Sequence, residues 1–237
     1  MTKLSVNINK IATLRNARGG NYPNVLQVAL DCERFGAEGI TVHPRPDERH
    51  IRYADVFELK QHIQTEFNIE GYPSDAFLEM CIKAKPAQVT LVPDAPDAIT
   101  SNAGWDTVQH QTQLSTAVQL LKKNNIRVSL FMDTDLSLYE SAAKSGADRI
   151  ELYTERYAKE YEHSRENVIK DYQKAAHLAG QLGLGVNAGH DLNSTNLQFF
   201  RQSIPNLLEV SIGHALITES LYWGLENTIQ IYLRALK

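Results

Sequence analysis

The chain has 237 residues, of which 43% are hydrophobic, and this length and composition suit one large domain with a real core. Its formal net charge is −4 and residues of both signs are mixed along the chain, which argues against a general nucleic-acid-binding protein. No apolar run approaches the about 20 residues that cross a membrane, and the opening stretch MTKLSVNINK has no apolar signal core, so we expect a cytoplasmic protein.

Short apolar runs alternate with longer helical patterns along the whole chain. The predicted strands are Leu4–Ile8, Ile40–Val42, Phe67–Ile69, Val89–Val92, Val128–Phe131, Ile150–Tyr153, Gly185–Ala188 and Leu208–Ile212. The predicted helices are Val25–Phe35, Ala54–Thr65, Asp75–Ala84, Val108–Asn124, Leu136–Ser145, Arg165–Leu182, Asn193–Ser203 and Leu216–Leu236, the last with a break expected at Gly224.

Eight strand–helix units of similar length favour a closed (β/α)8 TIM barrel over an open doubly wound sheet. We find no linker composition between the units and predict one catalytic domain over residues 1–237. The stretches Pro93–Thr107 and Thr154–Ser164 lack periodicity and are predicted to be long loops. Because loops of this length are uncommon unless they have a function, we interpret both as candidate lids.

Polar and charged side chains follow the predicted strands, at the end where TIM barrels carry their active sites. In the stretch GITVHPRPDERHI, His43, Arg45 and His50 follow a short strand, and two prolines prevent a helix from starting there. His43 and His190 directly follow apolar strands and are the strongest candidates for proton transfer, because histidine titrates near neutrality. Glu151 lies within a strand and is expected to face the barrel lumen, since facing the helices would bury an unpaired charge.

Several other strand-end residues have both a functional and a structural interpretation. Asn7 and Asn187 are either site residues or hydrogen-bonded core amides, and His214 is either a ligand or a helix cap. Glu70 is either a site carboxylate or the partner of Lys10 or of an arginine. Turn or N-cap roles are the commoner ones for Asp94 and Asp133.

Two candidate anion sites are also visible in the sequence. Gly213 and His214 open a helix after the eighth strand, close to the loop that follows the seventh, and these loops commonly bind phosphate through backbone N–H groups. Arg18, Arg45 and His50 are candidates for a second anion. Two separated sites suggest two phosphorylated substrates or one bisphosphate.

The stretches that carry these residues resemble a known family. They are NINKIATLRNARGG, GITVHPRPDERHI, FNIEG, VTLVPDAPDAITSNAGWD, RVSLFMD, RIELYT, VNAGHDL and VSIGHALI, and they extend from Val6 to Ile217. Jointly they resemble the pyridoxine 5′-phosphate synthase family, barrel enzymes that close the pyridine ring of vitamin B6.

The resemblance implies a transferase-class enzyme that joins 1-deoxy-D-xylulose 5-phosphate to 3-amino-2-oxopropyl phosphate, giving pyridoxine 5′-phosphate, inorganic phosphate and water. It implies no cofactor and no metal, because imine formation, enolisation and dehydration need only proton transfers. The implied catalytic groups are the general bases His43 and Glu70, the general acid His190, and Glu151 as a carboxylate that stabilises a transition state. The implied ligands of the aminoketone phosphate are Asn7, Arg18, Asp191, Gly213 and His214. The implied ligands of the deoxyxylulose phosphate are Asn9, Lys10, Arg45, His50 and Thr100.

The chain departs from the more familiar family pattern at three places. It has Asn9 and Lys10 where Asp and His are familiar, Asp191 where Gly is familiar, and Gly71 where a bulkier apolar residue is familiar. A carboxylate beside a phosphate is unfavourable, so we expect only the backbone N–H of Asp191 to contact the anion. These departures affect how the deoxyxylulose phosphate is held more than the reaction type.

Two other functions are compatible with the residues. Lys10 at a strand end suggests a Schiff-base aldolase acting on a phosphosugar, which borohydride trapping would reveal. A barrel that only senses phosphorylated ligands would bind both phosphates and release no inorganic phosphate.

Two further expectations concern association and redox state. We expect a homo-oligomer, with the apolar C-terminal residues either forming the partner surface or packing on the barrel; these are Leu221, Trp223, Leu225, Ile229, Ile231, Tyr232 and Leu233. Cys32 and Cys81 lack metal-type spacing and are expected to be free thiols on helices, in a reducing compartment.

Overall fold

The computed structural model describes residues 1–94 and 103–237. Eight parallel strands pair in chain order, and the last pairs with the first, so the sheet closes into a barrel. This confirms the predicted TIM-barrel fold. The strands are β1 (Lys3–Asn7), β2 (Gly39–Val42), β3 (Glu66–Gly71), β4 (Gln88–Leu91), β5 (Arg127–Met132), β6 (Arg149–Tyr153), β7 (Gly185–Gly189) and β8 (Leu207–Ile212).

Helices follow the strands and form the outer layer. Those of the described residues are α1 (Asn9–Asn16), α2 (Val25–Arg34), α3 (Tyr53–His62), α4 (Asp75–Ala84), α5 (Gln111–Lys123), α6 (Tyr139–Lys144), α7 (Glu155–Gln181), α8 (Leu197–Ser203), α9 (His214–Trp223) and α10 (Leu225–Ala235). The bounds of α4 match the prediction, and Ser74 caps it by accepting a hydrogen bond from the Phe77 backbone N–H. Gly224 separates α9 from α10, as predicted.

Two connections differ from the sequence analysis. The short helix α1 was not predicted. The candidate lid Thr154–Ser164 was wrong, because nearly all of it is helix: α7 begins at Glu155 and is interrupted at Ser164 (φ −153°, ψ 29°). Ion pairs one turn apart, such as Glu155–Lys159 at 2.7 Å, support this amphipathic but charge-rich segment. The other candidate lid, Pro93–Thr107, lies partly outside the described residues.

The hydrophobic core lies between the strands and the helices. Alternate strand residues point outward, and those positions are apolar and fully buried, as at Val6, Ile69 and Leu130. Helix side chains such as Leu114 and Tyr172 cover them from outside. Burial of this shell, more than packing inside the barrel, therefore stabilises the fold.

The barrel lumen is polar. Ser5, Thr41, Asn68 and Thr90 form a chain of hydrogen bonds across β1 to β4, with Oγ of Ser5 2.7 Å from Oγ1 of Thr41, and Thr90 Oγ1 donating to Asn68 Oδ1 at 3.2 Å. Thr90 Oγ1 also lies 3.4 Å from Oε2 of Glu151. The chain of hydroxyls and amides thus leads from β1 to a carboxylate on β6.

Ion pairs occupy the amino-terminal end of the lumen. Lys3 and Arg127 both bind the Glu66 carboxylate, and Arg149 lies 3.6 Å from Glu209. These long side chains fill that end of the barrel. The opposite end, where the strands finish, is left for a cavity.

Three further sequence predictions concern membrane-spanning helices, the two cysteines and the apolar C-terminal residues. None of the helices in the described residues combines the length and apolarity needed to span a membrane. Cys32 and Cys81 are buried free thiols on α2 and α4, as predicted. The C-terminal apolar residues divide into two groups: Ile229 packs in the core, whereas Leu221 is 77% exposed.

Candidate active site

A cavity of about 410 Å³ opens at the carboxyl ends of the strands. The TIM-barrel fold places ligand sites at this face. It is lined by most of the predicted site residues together with three side chains that were not predicted. The lining residues are Asn7, Asn9, Lys10, His43, Arg45, His50, Glu70, Val92, Phe131, Glu151, His190, Asp191, Ser211, Gly213 and His214.

Asn7 at the end of β1 and Asn9 at the start of α1 form hydrogen bonds with the neighbouring backbone, and Asn7 also contacts the Glu70 carboxylate. Asn7 Oδ1 accepts a hydrogen bond from the Asn9 backbone N–H at 3.1 Å, and Asn7 Nδ2 lies 3.4 Å from Oε2 of Glu70. Asn9 Oδ1 accepts from the His43 backbone N–H at 2.9 Å. The first turn of α1 therefore positions the end of β2, which carries His43.

His43 and Glu70 are adjacent in the cavity. Nδ1 of His43 lies 4.0 Å from Oε2 of Glu70, and both side chains are largely buried. Burial, reinforced by the positive charge of Arg45, lowers the pKa of His43 well below its usual value of 6.5. His43 is therefore neutral at physiological pH and able to accept a proton.

The two glutamates that line the cavity are both held toward their protonated forms. Burial raises the pKa of Glu70 to about 7, with the charge of Asp94 acting in the same direction and that of His190 against it. Burial and the nearby charge of Glu70 raise the pKa of Glu151 well above its usual value, although the hydrogen bond from Thr90 opposes this. Glu70 therefore titrates near neutrality, and Glu151 is likewise held toward its neutral acid form.

His190 has the opposite protonation preference from His43. Burial disfavours its charged form, but the hydrogen bond and charge of Asp191, together with the charges of Glu70 and Asp94, raise the pKa of His190 above 6.5. Its ring lies edge-on to those of Tyr153 and Phe131, with centroids 5.5 and 6.4 Å away. One cavity thus contains a histidine that favours the neutral form and one that favours the cation.

Arg45 and His50, both predicted to bind phosphate, have defined environments. Nη2 of Arg45 donates to Oδ2 of the buried Asp94 at 2.6 Å. Nδ1 of His50 accepts from the Ile51 backbone N–H at 2.9 Å, and burial lowers the pKa of His50 to about 4. The ring proton of neutral His50 therefore resides on Nε2, which makes that atom a hydrogen-bond donor.

Residues of the loops after β7 and β8 also line the cavity. α9 begins at His214, directly after Gly213, so its first-turn N–H groups lie beside the cavity as predicted. A Cβ on Gly213 would lie 3.0 Å from Cβ of Asn7. The backbone N–H of Asp191 donates to Thr154 Oγ1 at 3.3 Å and to the Gly189 carbonyl at 3.1 Å, instead of pointing freely at an anion.

Some predicted residues are not brought into the cavity. Arg18 is exposed on the turn after α1 and is not among the residues that line the cavity, and Thr100 lies outside the described residues. Asn187 is buried beneath the cavity, where its Oδ1 lies 3.3 Å from Arg149 Nη1, which fits the core-amide alternative.

Sequence reasoning missed the apolar part of the cavity and one ion pair. Val92, Phe131 and Tyr153 form a small cluster of their own at the mouth of the lumen. Phe131 and Tyr153 share the inward parity of Ser129 and Glu151, so strand alternation was the signal that would have found them. Asp94 was considered a turn residue, and nothing local in the sequence indicated its pairing with Arg45.

The sequence matches the family described as "Pyridoxal phosphate biosynthesis protein PdxJ" over residues 4–237. The chain belongs to the PdxJ family. Among its relatives is pyridoxine 5′-phosphate synthase of Cytophaga hutchinsonii, 63% identical over 237 residues and covering 100% of both chains. The enzyme of the same name from Parabacteroides distasonis is 64% identical over 232 residues, covering 98% of both chains. These full-length matches confirm the resemblance found in the motifs.

Solved structures of lower identity share the fold. A 3-keto-L-gulonate-6-phosphate decarboxylase from Vibrio cholerae superposes with a TM-score of 0.67 at 10% identity, covering 99% of this chain and 97% of the other. The N-(5′-phosphoribosyl)anthranilate isomerase of Pyrococcus furiosus has a TM-score of 0.65 at 11% identity, covering 100% and 98%. At such identities the likeness supports the barrel alone.

One departure from the familiar PdxJ pattern has a structural explanation. A Cβ on Gly71 would lie 2.2 Å from Cε2 of Phe77, so the Phe77 ring occupies the space next to position 71. Phe77 is on α4 and is buried. A side chain at position 71 would therefore overlap the Phe77 ring where it now lies, so one of the two would have to shift.

Proposed function

We infer that this chain is a pyridoxine 5′-phosphate synthase and that the cavity at the carboxyl ends of its strands is the active site. The observation that carries the proposal is the meeting of His43, Glu70 and His190 around one cavity, in a chain that matches the PdxJ family over its length. The substrates we propose are 1-deoxy-D-xylulose 5-phosphate and 3-amino-2-oxopropyl phosphate, and the products are pyridoxine 5′-phosphate, inorganic phosphate and water.

Two sides of the cavity suit the two phosphate groups. Arg45, His50 and Lys10 bring cationic and N–H donors on one side, and we assign them, with Asn9 and Thr100, to the deoxyxylulose phosphate. The first turn of α9 after Gly213 brings backbone N–H groups on the other side, and we assign it to the aminoketone phosphate. Asn7 and Arg18 complete that second site in the proposal.

The reaction needs bases and acids in one place, and the protonation preferences provide them. Condensation of the amine with the ketone forms an imine between the substrates, and later steps remove protons from carbon and protonate departing oxygens. Neutral His43 and ionised Glu70 accept protons, and cationic His190 donates them. Loss of an acid or base of this kind costs about 10²–10⁴-fold in rate.

We assign Glu151 to stabilising the positive charge that develops on the imine during the reaction. Glu151 lies on β6 and lines the floor of the cavity, where burial and the nearby charge of Glu70 favour its protonated form in the free enzyme. A protonated imine above the two carboxylates favours their ionised forms, so Glu151 stabilises that cation when it forms.

The cellular location and the oligomeric state of the enzyme are also proposals. Two buried free thiols suit the reducing cytoplasm, where we place the reaction. We propose a homo-oligomer that uses the exposed end of α9, where Leu221 and Tyr222 are 77% and 83% exposed. Sedimentation of the purified chain measures its oligomeric state, and a monomer at micromolar concentration contradicts the second point.

A single incubation tests the proposed function. The purified chain with both phosphorylated substrates is expected to form pyridoxine 5′-phosphate and inorganic phosphate, and neither when one substrate is omitted. His190→Asn is expected to fold with the same circular dichroism and to lose most of the rate. Absence of both products with the unaltered chain contradicts the proposal, whereas binding of both phosphates without turnover supports a sensor.

A further inference from the structure

His190 and Asp191 form a hydrogen-bonded pair at the end of β7. Nδ1 of His190 lies 2.7 Å from Oδ2 of Asp191, and each side chain is about one-third exposed, at 31% and 30%. The backbone of His190 is in the left-handed region, with φ of +73°, which is uncommon for a residue other than glycine. The chain therefore turns sharply at the point where the imidazole enters the cavity.

The pairing defines what each ring nitrogen does. A carboxylate at neutral pH only accepts hydrogen bonds, so Nδ1 of His190 carries a proton and donates a hydrogen bond to Asp191. Contacts with Tyr153 and Phe131 fix the plane of the ring. The exchangeable position is then Nε2, which either holds the acidic proton or, after transfer, a lone pair.

We propose that Asp191 is a positioning residue for His190, holding the ring in the Nδ1-protonated form that makes Nε2 the acid. The inference deepens the proposed function, and it rests on His190 being the acid there. It also revises the expectation from the sequence that position 191 serves as a ligand of the aminoketone phosphate.

The same pairing explains how a carboxylate is tolerated beside a phosphate loop. The Asp191 carboxylate is directed at a cation, and its backbone N–H is directed at Thr154 and Gly189. In the familiar family pattern a glycine at this position provides no side-chain partner. This chain therefore has, beside His190, a carboxylate that a glycine at position 191 could not provide.

Charged groups on several other elements also act on the pKa of His190, so the experiment has to separate their effects from that of Asp191. Glu70 on β3 and Asp94 after β4 favour its cation through charge, Asp191 does so through charge and a hydrogen bond, and burial opposes all three. His43 after β2 is also within electrostatic range, and Tyr153 on β6 contacts the ring. Each of these groups remains in place when only Asp191 is changed.

The experiment compares Asp191→Asn with Asp191→Glu and with the surface control Glu140→Gln. Nitrogen-15 NMR of the free protein reports the pKa and the tautomer of His190, whose signal is assigned by its loss in His190→Asn. In Asp191→Asn we expect the pKa of His190 to fall and the Nε2-protonated tautomer to appear in the neutral ring. Asp191→Glu keeps a carboxylate, so its His190 pKa and tautomer are expected to lie closer to those of the unaltered chain. Glu140→Gln is expected to leave both unchanged.

Kinetics give a second readout. An acid must be protonated, so kcat falls as pH rises through its pKa, and in Asp191→Asn this alkaline fall is expected at lower pH. We expect kcat to drop by about 10-fold or more, yet by less than the about 10²–10⁴-fold loss for His190 itself. A lower KM for the aminoketone phosphate with kcat unchanged would show that the carboxylate merely repels the anion, and would overturn the inference.

The two proposals fail in different ways. If the unaltered chain forms no pyridoxine 5′-phosphate, the proposed function fails, while NMR still measures the His190–Asp191 pair. If the chain is active and the titration and tautomer of His190 are the same in Asp191→Asn, the pair has no positioning role and the inference is wrong.

Discussion

Arg45 and Asp94 form a buried ion pair that joins the ends of β2 and β4, with Nη2 of the arginine 2.6 Å from Oδ2 of the aspartate. Their side chains are 4% and 3% exposed. A guanidinium has five N–H donors, so one carboxylate leaves others for a phosphate. Asp94 thus holds Arg45 at the cavity before any substrate arrives.

We expect Arg45→Ala to raise the KM for deoxyxylulose phosphate and to destabilise the fold. A charge-assisted contact contributes about 1.5–3 kcal/mol, or roughly a ten- to hundredfold change in KM. Removing one partner of a buried pair costs about 3–5 kcal/mol. Steady-state kinetics and thermal melting measure the two effects. Arg49→Ala, in the same loop but paired with the half-exposed Asp47, is the control expected to change stability by less than about 1 kcal/mol.

Arg18→Ala tests the second anion site. It is expected to raise the KM for the aminoketone phosphate by roughly tenfold or more and to leave that for deoxyxylulose phosphate unchanged. Its side chain is exposed, so no loss of stability is expected. Arg34→Ala, on the outside of α2, is the matched control. If Arg18→Ala and Arg45→Ala weaken the same substrate equally, the assignment of two sites is wrong.

Glu70 predicts a pH dependence of both activity and stability. A general base must be ionised, so kcat/KM is expected to fall as pH drops below about 7, the pKa of Glu70. Its folded pKa is above the usual 4.5, so the folded state binds more protons than the unfolded state between those values, and stability falls as pH rises through that window. Glu70→Gln removes this penalty.

Melting temperatures measured on both sides of that window check the sign. We expect Glu70→Gln to melt higher than the parent at about pH 8, and the difference to shrink toward about pH 5. Each kcal/mol corresponds to about 2–4 °C for a chain of this size. A variant that is inactive but no more stable at the higher pH would mean that burial does not disfavour the Glu70 carboxylate.

The contact between Gly71 and Phe77 predicts coupled substitutions. Gly71→Ala places a methyl group against the Phe77 ring and is expected to cost about 1–3 kcal/mol. Adding Phe77→Leu is expected to recover part of that loss in chemical denaturation. Gly180→Ala is the control, because a Cβ there meets nothing within 4 Å and lies in α7, where alanine is favoured. Additive losses in the double variant would refute the coupling.

Experiments on Lys10 distinguish a ring-closing synthase from a Schiff-base aldolase. A Schiff-base lysine is activated by desolvation or by a neighbouring cation. Desolvation does not apply to Lys10, because its side chain is exposed at the cavity rim, where its charge helps to lower the pKa of His50. We expect Lys10→Met to weaken deoxyxylulose phosphate binding while ring formation continues at high substrate. Borohydride is expected to leave no adduct with either substrate. A mass increase at Lys10 would instead support the aldolase, and Lys83→Met on α4 controls for loss of a surface charge.

The fold was predictable because strand alternation is strict. Outward positions such as Ile40 and Val89 are apolar, and each strand is followed by a helical pattern, so period and order together indicate a barrel. The opening of α7 was missed because its first turns carry many charges and few apolar residues, so hydrophobic periodicity gives no signal there. Its ion pairs one turn apart were the available clue.

Most cavity residues were predictable from their position after strands, but their pairings were not. Arg45 meets Asp94 only because β2 and β4 converge at the mouth of the barrel, and the sequence separates them by 49 positions. Asp191 is adjacent to His190, yet the direction of its side chain depends on the left-handed backbone at His190. Such choices depend on packing in three dimensions, which residue type and spacing do not encode locally.

The polar lumen has a consequence for how this barrel can be altered. Truncating an outward residue such as Val6 or Leu130 opens a void beneath a helix, and loss of a large aliphatic side chain costs about 2–5 kcal/mol. Exchanging Thr41 or Asn68 for another small polar residue changes the wall beneath the cavity while leaving the outer packing untouched. Substitutions on the outer face of the strands therefore act mainly on stability, whereas exchanges among the uncharged polar residues of the lumen act mainly on the wall of the cavity, so these two sets of positions can be redesigned separately.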